Sequence, residues 1–550
     1  MRARSVGRQD TTLWIGIAAA AFVCAALANS ARAQSTSRPR PVDFWTPSDQ
    51  KVVIYTKDKP PATPKLEDLQ LKDSVSQYGI TWTFDKPVPV GRFINGDWYV
   101  VGPVTVKAID PKPLYGADIP DSELDNNATF EGMNLDWNRK VDERVRNGFM
   151  LNPPADKKVA YDNAVRNFFD PSLIQKLPAA VKAGDSLVST ISMPKGLVLK
   201  SQLWQGISRA SGDGSPVRTA AVLTCVAAPL PPDAFRPAFC DRQAKVYFSR
   251  DLKRDILPQV AATKDAPNVG LYVRFTQRPW VGTGFFGFEG PVENMPQYGR
   301  EYGRVVGISA LLLCTDLKPE QKEPLLVDFV QVGIDLGGMI RGGHPGWEGF
   351  GGHGSGRKLP IVFAGLLLGD DQLANVNKNF PKAHFGEDEQ TAYGDCWTGA
   401  KVVFTGHRAI DQATGIARPD TGPYEHTPPT TWKKGREQMS EAYRRTASFG
   451  WIGQDLALRL LRAEKAWNHD AFFDYCDRWM YEDDAESAKA IKAATGQDFF
   501  ADWIRQGQAW DAFVNDMWAK HRAGAGMPPT DGWKRKHDDR YYRNAVEKAK

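Results

Sequence analysis

The hydrophobic period of this chain changes once. From Ile80 to about Pro279, apolar and polar residues alternate in short runs separated by Gly and Pro; beyond Pro279 the apolar residues recur every three to four positions. Alternation sends successive side chains to opposite faces of a strand, whereas the longer period builds one face of a helix. A chain of 550 residues with such a change is expected to divide into β-rich and helical parts, in that order. The expected organisation is an α+β multidomain protein with a leader over 1–33, an extended lead-in over 34–70, an antiparallel β-sandwich-like domain over 71–285 and an α-helical domain over 286–550.

The β region begins with ITWTFDKPVPVGRFINGDWYVV from Ile80, in which Asn95-Gly96 separates two alternating runs. Asn-Gly between aromatic and β-branched residues is a strong hairpin signal. Further strands are expected at Asp185–Met193, Leu197–Trp204, Ala220–Ala228, Ala244–Phe248 and Val269–Phe275. Short strands at Gly/Pro-marked intervals read as an antiparallel sandwich. Pro111–Pro178 gives no clear period, and its loops are read as able to reach across to another domain.

In the helical part, Val305, Ile308 and Leu312 share one face, and Leu325, Phe329, Val332 and Leu336 share another. Pro319-Glu320 suits a first turn, and Gly337-Gly338 begins a stop. Additional helices are expected over Arg357–Leu368, Glu437–Trp467, Asp470–Met480 and Phe499–His521.

Arg2, Arg4 and Arg8, the apolar run Leu13–Leu27 and the small-residue frame Ala31-Arg32-Ala33 read as an export signal cleaved after Ala33, so the mature protein is expected in the periplasm or outside the cell. No later run is apolar enough to span a membrane. The formal charge of +5 falls to +2 when four Arg and one Asp leave with the signal. That balance offers no global field for nucleic acid or acidic lipid. Of the six Cys, Cys24 lies in the signal, and Cys225 and Cys240 flank a Pro-rich connection that suits a disulfide in an oxidising compartment. The spacing of Cys and His gives no structural zinc motif, and no cofactor is expected, although a loop-built metal site among His344, His353, His384, His407 and His426 stays open. Oligomeric state is not readable.

Chemistry concentrates in two loops. Arg341–Arg357, RGGHPGWEGFGGHGSGR, holds eight Gly among seventeen residues, together with His344, Trp347, Glu348, His353 and Arg357. Gly permits close backbone approach, so a Gly-dense loop carrying polar and aromatic side chains reads as a shaped site. Its GGHGSGRK end fails as a phosphate loop, with Arg357 where Lys is needed and Lys358 where Ser or Thr is needed. Placed at the mouth of a helix, His353 and Arg357 suit a carboxylate. The long connection Asn379–Lys434 is the natural partner. Within it, Tyr424, Glu425 and His426 are bracketed by Pro423 and Pro428, and Phe385–Tyr393 offers carboxylates that equally suit a solvated helix start. His344, Trp347, Glu348, Tyr393, Trp397 and Arg444 are read as substrate-binding residues.

With its export signal, its β-sandwich and helical parts, its aromatic residues and its long loop over the helical domain, the chain resembles polysaccharide lyases built from an α/α-toroid and a β-sandwich, the alginate-lyase-like and chondroitin-lyase-like enzymes. The resemblance implies a polysaccharide substrate containing uronate. It also implies neutralisation of the uronate carboxylate by His353 and Arg357, and proton transfer by Tyr424 assisted by His426. Three departures are plain: the sandwich precedes the helices, the expected helices are fewer than a full double ring needs, and no Asn adjoins His353. The order of domains better resembles an inverting glycoside hydrolase, in which Glu425 with Asp388, Glu389 or Glu348 would supply two carboxyl groups. A glycan-binding or envelope scaffold without catalysis is the third reading.

Overall fold

A 13-residue strand, Ile80–Arg92 (β2), organises the first half of the structure, a computed structural model. It describes residues 53–120, 129–130, 133–134, 140–164, 168–193, 217–241, 245–281, 291, 293–295, 299–349, 352, 354–406, 410–411, 416–417, 424–434, 436–499 and 505–526. The leader region, the run Leu197–Trp204 and the residue His353 lie outside them.

β2 is long enough to serve three neighbours. It pairs antiparallel with Gln70–Gln77 (β1), with Trp98–Val101 (β3) and with Val104–Asp110 (β4). Ile80, Trp82, Phe84, Val88 and Val90 point to one buried face. The β2–β3 connection is the expected Asn-Gly hairpin, with Gly96 at φ 84° and its N–H donating to the Phe93 carbonyl at 2.9 Å. Adding Phe149–Leu151 (β5), Ala179–Val181 (β6), Ser186–Ser192 (β7) and Val217–Val226 (β8) gives one eight-stranded sheet in the order β6-β4-β2-β3-β8-β7-β5, with β1 on β2. The β3–β8 pair is parallel. The sheet curls nearly closed around Trp82, Phe84, Val106, Val181, Leu187 and Leu223. The expected layout of two facing sheets is therefore not distinguished among the described residues.

Several sequence expectations fail here. Gly337-Gly338 does not stop its helix, which runs on to Arg341, and Lys245–Phe248 is not a strand, Phe248 making only an isolated bridge to Ala234. Val269–Thr276 is an α-helix (α1), not a strand, capped by the Asn268 side chain, which accepts from Gly270 N–H at 2.8 Å. Tyr272, Val273, Phe275 and Thr276 are its buried residues, which is a helical face that the alternation of Val269, Leu271, Val273 and Phe275 imitates. Cys225 and Cys240 are both buried free thiols: Cys225 packs inside the curled sheet and Cys240 in the helical core, so no bridge joins them.

The helical half contains Gly299–Cys314 (α2), Pro319–Arg341 (α3), Lys358–Leu368 (α4), Glu437–Ala447 (α5), Ile452–Leu460 (α6), Asp470–Tyr481 (α7), Ala485–Thr495 (α8) and Ala512–His521 (α9). The expected helix over 437–467 is broken, since Ser448–Trp451 tightens into a 3-10 turn and a turn near Arg462 precedes Glu464–Trp467. Among the described residues, no helix is long and apolar enough to cross a membrane.

The two halves are joined by buried charge. Arg236 donates to Asp97 of the β2–β3 turn at 2.6 Å and to both oxygens of Asp335 on α3, at 3.0 and 2.5 Å. All three side chains are at most 4% exposed. A paired, fully hydrogen-bonded arrangement is what permits such burial.

Candidate active site at the Gly-rich loop

The loop between α3 and α4 is stapled in place by three consecutive acids. The single turn Gly386–Glu389 presents Glu387, Asp388 and Glu389 in different directions. Glu387 accepts from Gly356 N–H at 2.7 Å, Asp388 from the Lys358 ammonium at 2.6 Å, and Glu389 from Gly349 N–H at 2.7 Å. Gly346-Trp347 adds a short parallel pairing to His384-Phe385. The acids that suited a solvated helix start are instead the frame of the loop.

Glycine is required here by proximity. A Cβ on Gly354 would lie 2.2 Å from the Glu348 carbonyl oxygen, and one on Gly356, at φ 84°, would lie 2.5 Å from backbone atoms of Tyr302 and Gly303 on α2. Gly356→Ala is expected to lose roughly 1–3 kcal/mol from the strained φ alone. Chemical denaturation would show it as a lower midpoint.

Four titratable side chains meet at the partly open edge of this frame. Lys157, from the stretch that the sequence left unplaced, lies 3.3 Å from Glu348, with 12% and 10% of the two side chains exposed. Burial pushes the Glu348 carboxyl up despite Lys157, and the Glu389 charge adds to the rise. His384 Nδ1 lies 2.6 Å from Glu389, and 40% of the His384 side chain is exposed. That hydrogen bond raises the His384 pKa above 6.5 against the opposing effect of burial. With Glu389 ionised, Nδ1 carries the proton and the other ring nitrogen is left as a base, an orientation that a carboxylate–imidazole pair enforces.

The linkage sign follows from the raised value. Stability contributed by the His384–Glu389 pair is fully present below pH 6.5 and is lost as pH rises through the folded pKa. Hydrogen exchange at Gly349, whose N–H is held by Glu389, is therefore expected to quicken above that pH beyond the ordinary base-catalysed rise. His384→Gln should remove the excess.

Behind this edge, His344 is 3% exposed and Trp347 4%. Their rings stack with centroids 4.6 Å apart. Arg357, at the N-cap of α4, lies 3.8 Å over the Tyr302 ring and donates to the Ser355 carbonyl at 2.5 Å.

The second group of sequence candidates sits elsewhere and faces inward. The Tyr424 hydroxyl donates to Glu441 at 2.5 Å, and burial together with the Glu441 and Glu425 charges pushes its pKa well above 10. A hydroxyl so placed has no means of serving as a base near neutrality. Glu425 is held by both terminal nitrogens of Arg478 at 2.9 Å and accepts from Phe404 N–H at 2.5 Å. Arg444 forks onto Glu441 at 2.9 and 2.8 Å. Burial alone would raise Glu441, but Arg444 and Arg445 outweigh it and hold that carboxyl well below the usual range. Tyr393 donates to Asp474 at 2.7 Å, Trp397 meets Trp432 edge-on, and His426 is exposed.

The two groups are separated by aromatic rings. Trp451 donates to Ser355 of the loop at 3.0 Å and stacks 6.0 Å from Phe404, which lies 6.5 Å from Tyr424. The structure thus keeps His344, Trp347, Glu348 and Arg357 together, with Lys157, His384 and Glu389 beside them, and assigns Tyr424, Glu425 and Arg444 to a buried ion network. Nothing local in the sequence marks Lys157; His384 and Glu389 are singled out there only as a possible metal ligand and a possible hydrolase carboxylate. Comparison of the chain with protein-family models, curated proteins and solved structures finds no match.

Proposed function

We propose that this chain is an exported carbohydrate-active enzyme, a polysaccharide lyase that cleaves a uronate-containing glycan at the edge of the Gly-rich loop. The observation that carries the reading is the His384–Glu389 pair at 2.6 Å, with the His384 ring partly exposed beside the Lys157–Glu348 pair. In β-elimination, the proton at C5 is too weakly acidic until the adjacent carboxylate is neutralised, and Lys157 supplies that charge. His384, oriented by Glu389, takes the C5 proton. The electron pair forms the C4–C5 double bond, the C4–O4 bond breaks, and Glu348 in its protonated form gives its proton to O4. Positioned proton transfer of this kind contributes roughly 10²–10⁴-fold each. The sandwich-plus-toroid architecture belongs to the same proposal: a curled sheet precedes helices that pack in pairs, α2 on α6 and α3 on α4.

Hydrolysis is the second reading, favoured by one observation. Glu348 is raised by burial and Glu389 contributes to that rise, the divided environment that two carboxyl groups need to serve as acid and base. Digestion of a uronate-glycan panel separates the two: an unsaturated, ultraviolet-absorbing product supports the lyase, and new reducing ends without that absorbance support the hydrolase. Binding without either product would leave a glycan-binding scaffold. Because His384 must be neutral to act as the base, the acid limb of the lyase rate profile is expected above pH 6.5.

A further inference from the structure

The junction between the two halves holds more acid than base. On α3, Asp328, Gln331 and Asp335 recur at helical spacing and share one side. Gln331 Oε1 accepts from the Arg236 N–H at 3.1 Å, its amide donates back to the Arg236 carbonyl at 3.0 Å, and Asp335 takes the Arg236 guanidinium. Asp328 is left over: it is 7% exposed, and among the described residues no hydrogen bond or ion pair reaches it. The groups that face it are acids or are already engaged. Asp97, in the β2–β3 turn, accepts from Arg236 at 2.6 Å and from Gln77 at 2.7 Å. Tyr78, past the end of β1, gives its hydroxyl to the Gln277 carbonyl at 2.8 Å, and Arg278, past α1, lies over the Tyr78 ring while paired with Glu293. Arg92 donates to the Gly96 carbonyl at 2.5 Å. Three carboxyls therefore share one guanidinium, and an ionised Asp328 would be a buried charge without a partner. Burial, with the Asp97 charge, pushes its carboxyl well above the usual range, so the folded chain holds a proton there.

The edge of the Gly-rich loop straddles this junction. Lys157 comes from the chain between β5 and β6, Glu348 from the loop that follows α3, and they meet at 3.3 Å. The fit is close enough to transmit a shift: a Cβ on Gly342, past the end of α3, would lie 2.4 Å from the Ala155 Cβ, and one on Gly338 would lie 2.3 Å from the Ala238 Cβ. We propose that the junction is a pH-sensitive clasp: with a proton on Asp328 it holds Lys157 against Glu348, and loss of that proton to solvent sets two carboxylates against each other, loosens α3 from the β2–β3 turn and parts the pair. Because the folded pKa is raised, the stability that Asp328 contributes is fully present below the ordinary value of 3.8 and is lost as pH rises through the folded pKa. Asp335, pushed up to about 6 by burial, adds a loss of the same sign, which comparison with a variant at Asp328 removes.

The test uses the full chain and two neutral variants, Asp328→Asn and Asp328→Leu. The infrared carbonyl band of a protonated carboxyl is expected at about pH 7 in the difference between the unaltered protein and either variant. Hydrogen exchange at the Arg236 N–H, held by Gln331, should agree within a few-fold among the three proteins at about pH 4 and run at least about tenfold faster in the unaltered protein at about pH 8. Acylation of Lys157 by an amine-reactive ester, located by peptide mass analysis, should likewise be faster in the unaltered protein than in either variant at about pH 8. A missing difference band, or Arg236 exchange that keeps pace in the three proteins over that range, overturns the proposal, and equal acylation of Lys157 overturns its reach to the loop. If neither neutral variant folds, the junction requires the carboxylate, and the proposal falls as well. None of these readings needs a substrate, so the clasp stands or falls independently of cleavage of any glycan.

Discussion

Arg478→Ala is expected to remove about 3–5 kcal/mol of folding stability, the cost of leaving a buried charge without its partner. Arg478 and Glu425 are each 2% exposed, and Arg478 is the only group giving Glu425 a two-pronged bond among the described residues. Without it, Glu425 keeps the Phe404 N–H and Arg444 at 3.5 Å. Arg444 is already committed to Glu441, so the remaining charge is poorly compensated. The neighbouring pair of Arg445 with Asp484 ties α5 to the turn before α8, so loosening at Arg478 should spread along the network. Urea denaturation measures the loss directly. Replacing Glu425 and Arg478 together by Met should recover much of it, because the penalty comes from the orphaned charge and not from the absence of the pair.

Glu348→Gln is expected to lower kcat/KM by roughly 10²–10⁴-fold, since the amide cannot deliver a proton to the leaving oxygen. Lys157, 12% exposed, also loses its ionic partner, so urea denaturation must show the variant folded before the rates are compared. Tyr424→Phe should show the opposite pattern. The hydroxyl bonded to ionised Glu441 is lost, at a cost of about 1.5–3 kcal/mol for a hydrogen bond to a charged group, while the folded fraction keeps its rate. This reverses what the motif Pro423–Pro428 suggests in the sequence, where three acid/base side chains in a row look poised for proton transfer.

The reversal shows where sequence reading has purchase on this chain. Short-range signals with one physical cause were legible: the Asn95-Gly96 hairpin needs only its own turn, and α3 and α4 declare themselves by the spacing of apolar residues. Val269–Phe275 was not, because a short amphipathic helix with apolar residues at every second position satisfies both periods until its neighbours select one face. The Gly-rich loop was recognisable as shaped, but not why. Its glycines answer to backbone atoms of Tyr302 and Gly303 and to the Glu348 carbonyl, and its staples are acids some thirty to forty residues on. Tyr424 and Glu425 differ from Glu348 and Glu389 by what faces them in space, which is Glu441 and Arg478 in one case and Lys157 and His384 in the other. Spacing along the chain carries no record of those partners. The Cys225–Cys240 pairing failed for the same reason: proximity in sequence placed the two thiols in different cores.

Proton transfer at the edge of the Gly-rich loop, by Glu348 and the His384–Glu389 pair, is the proposed route to cleavage of an acidic glycan. The most direct measurement is digestion of a panel of uronate-containing glycans by the unaltered protein and by Glu348→Gln, followed by ultraviolet absorbance of the products. An absorbing, unsaturated product is expected from the unaltered protein on at least one glycan, and little or none from folded Glu348→Gln. Equal product from both proteins, or no product from the unaltered protein across the panel, would contradict it.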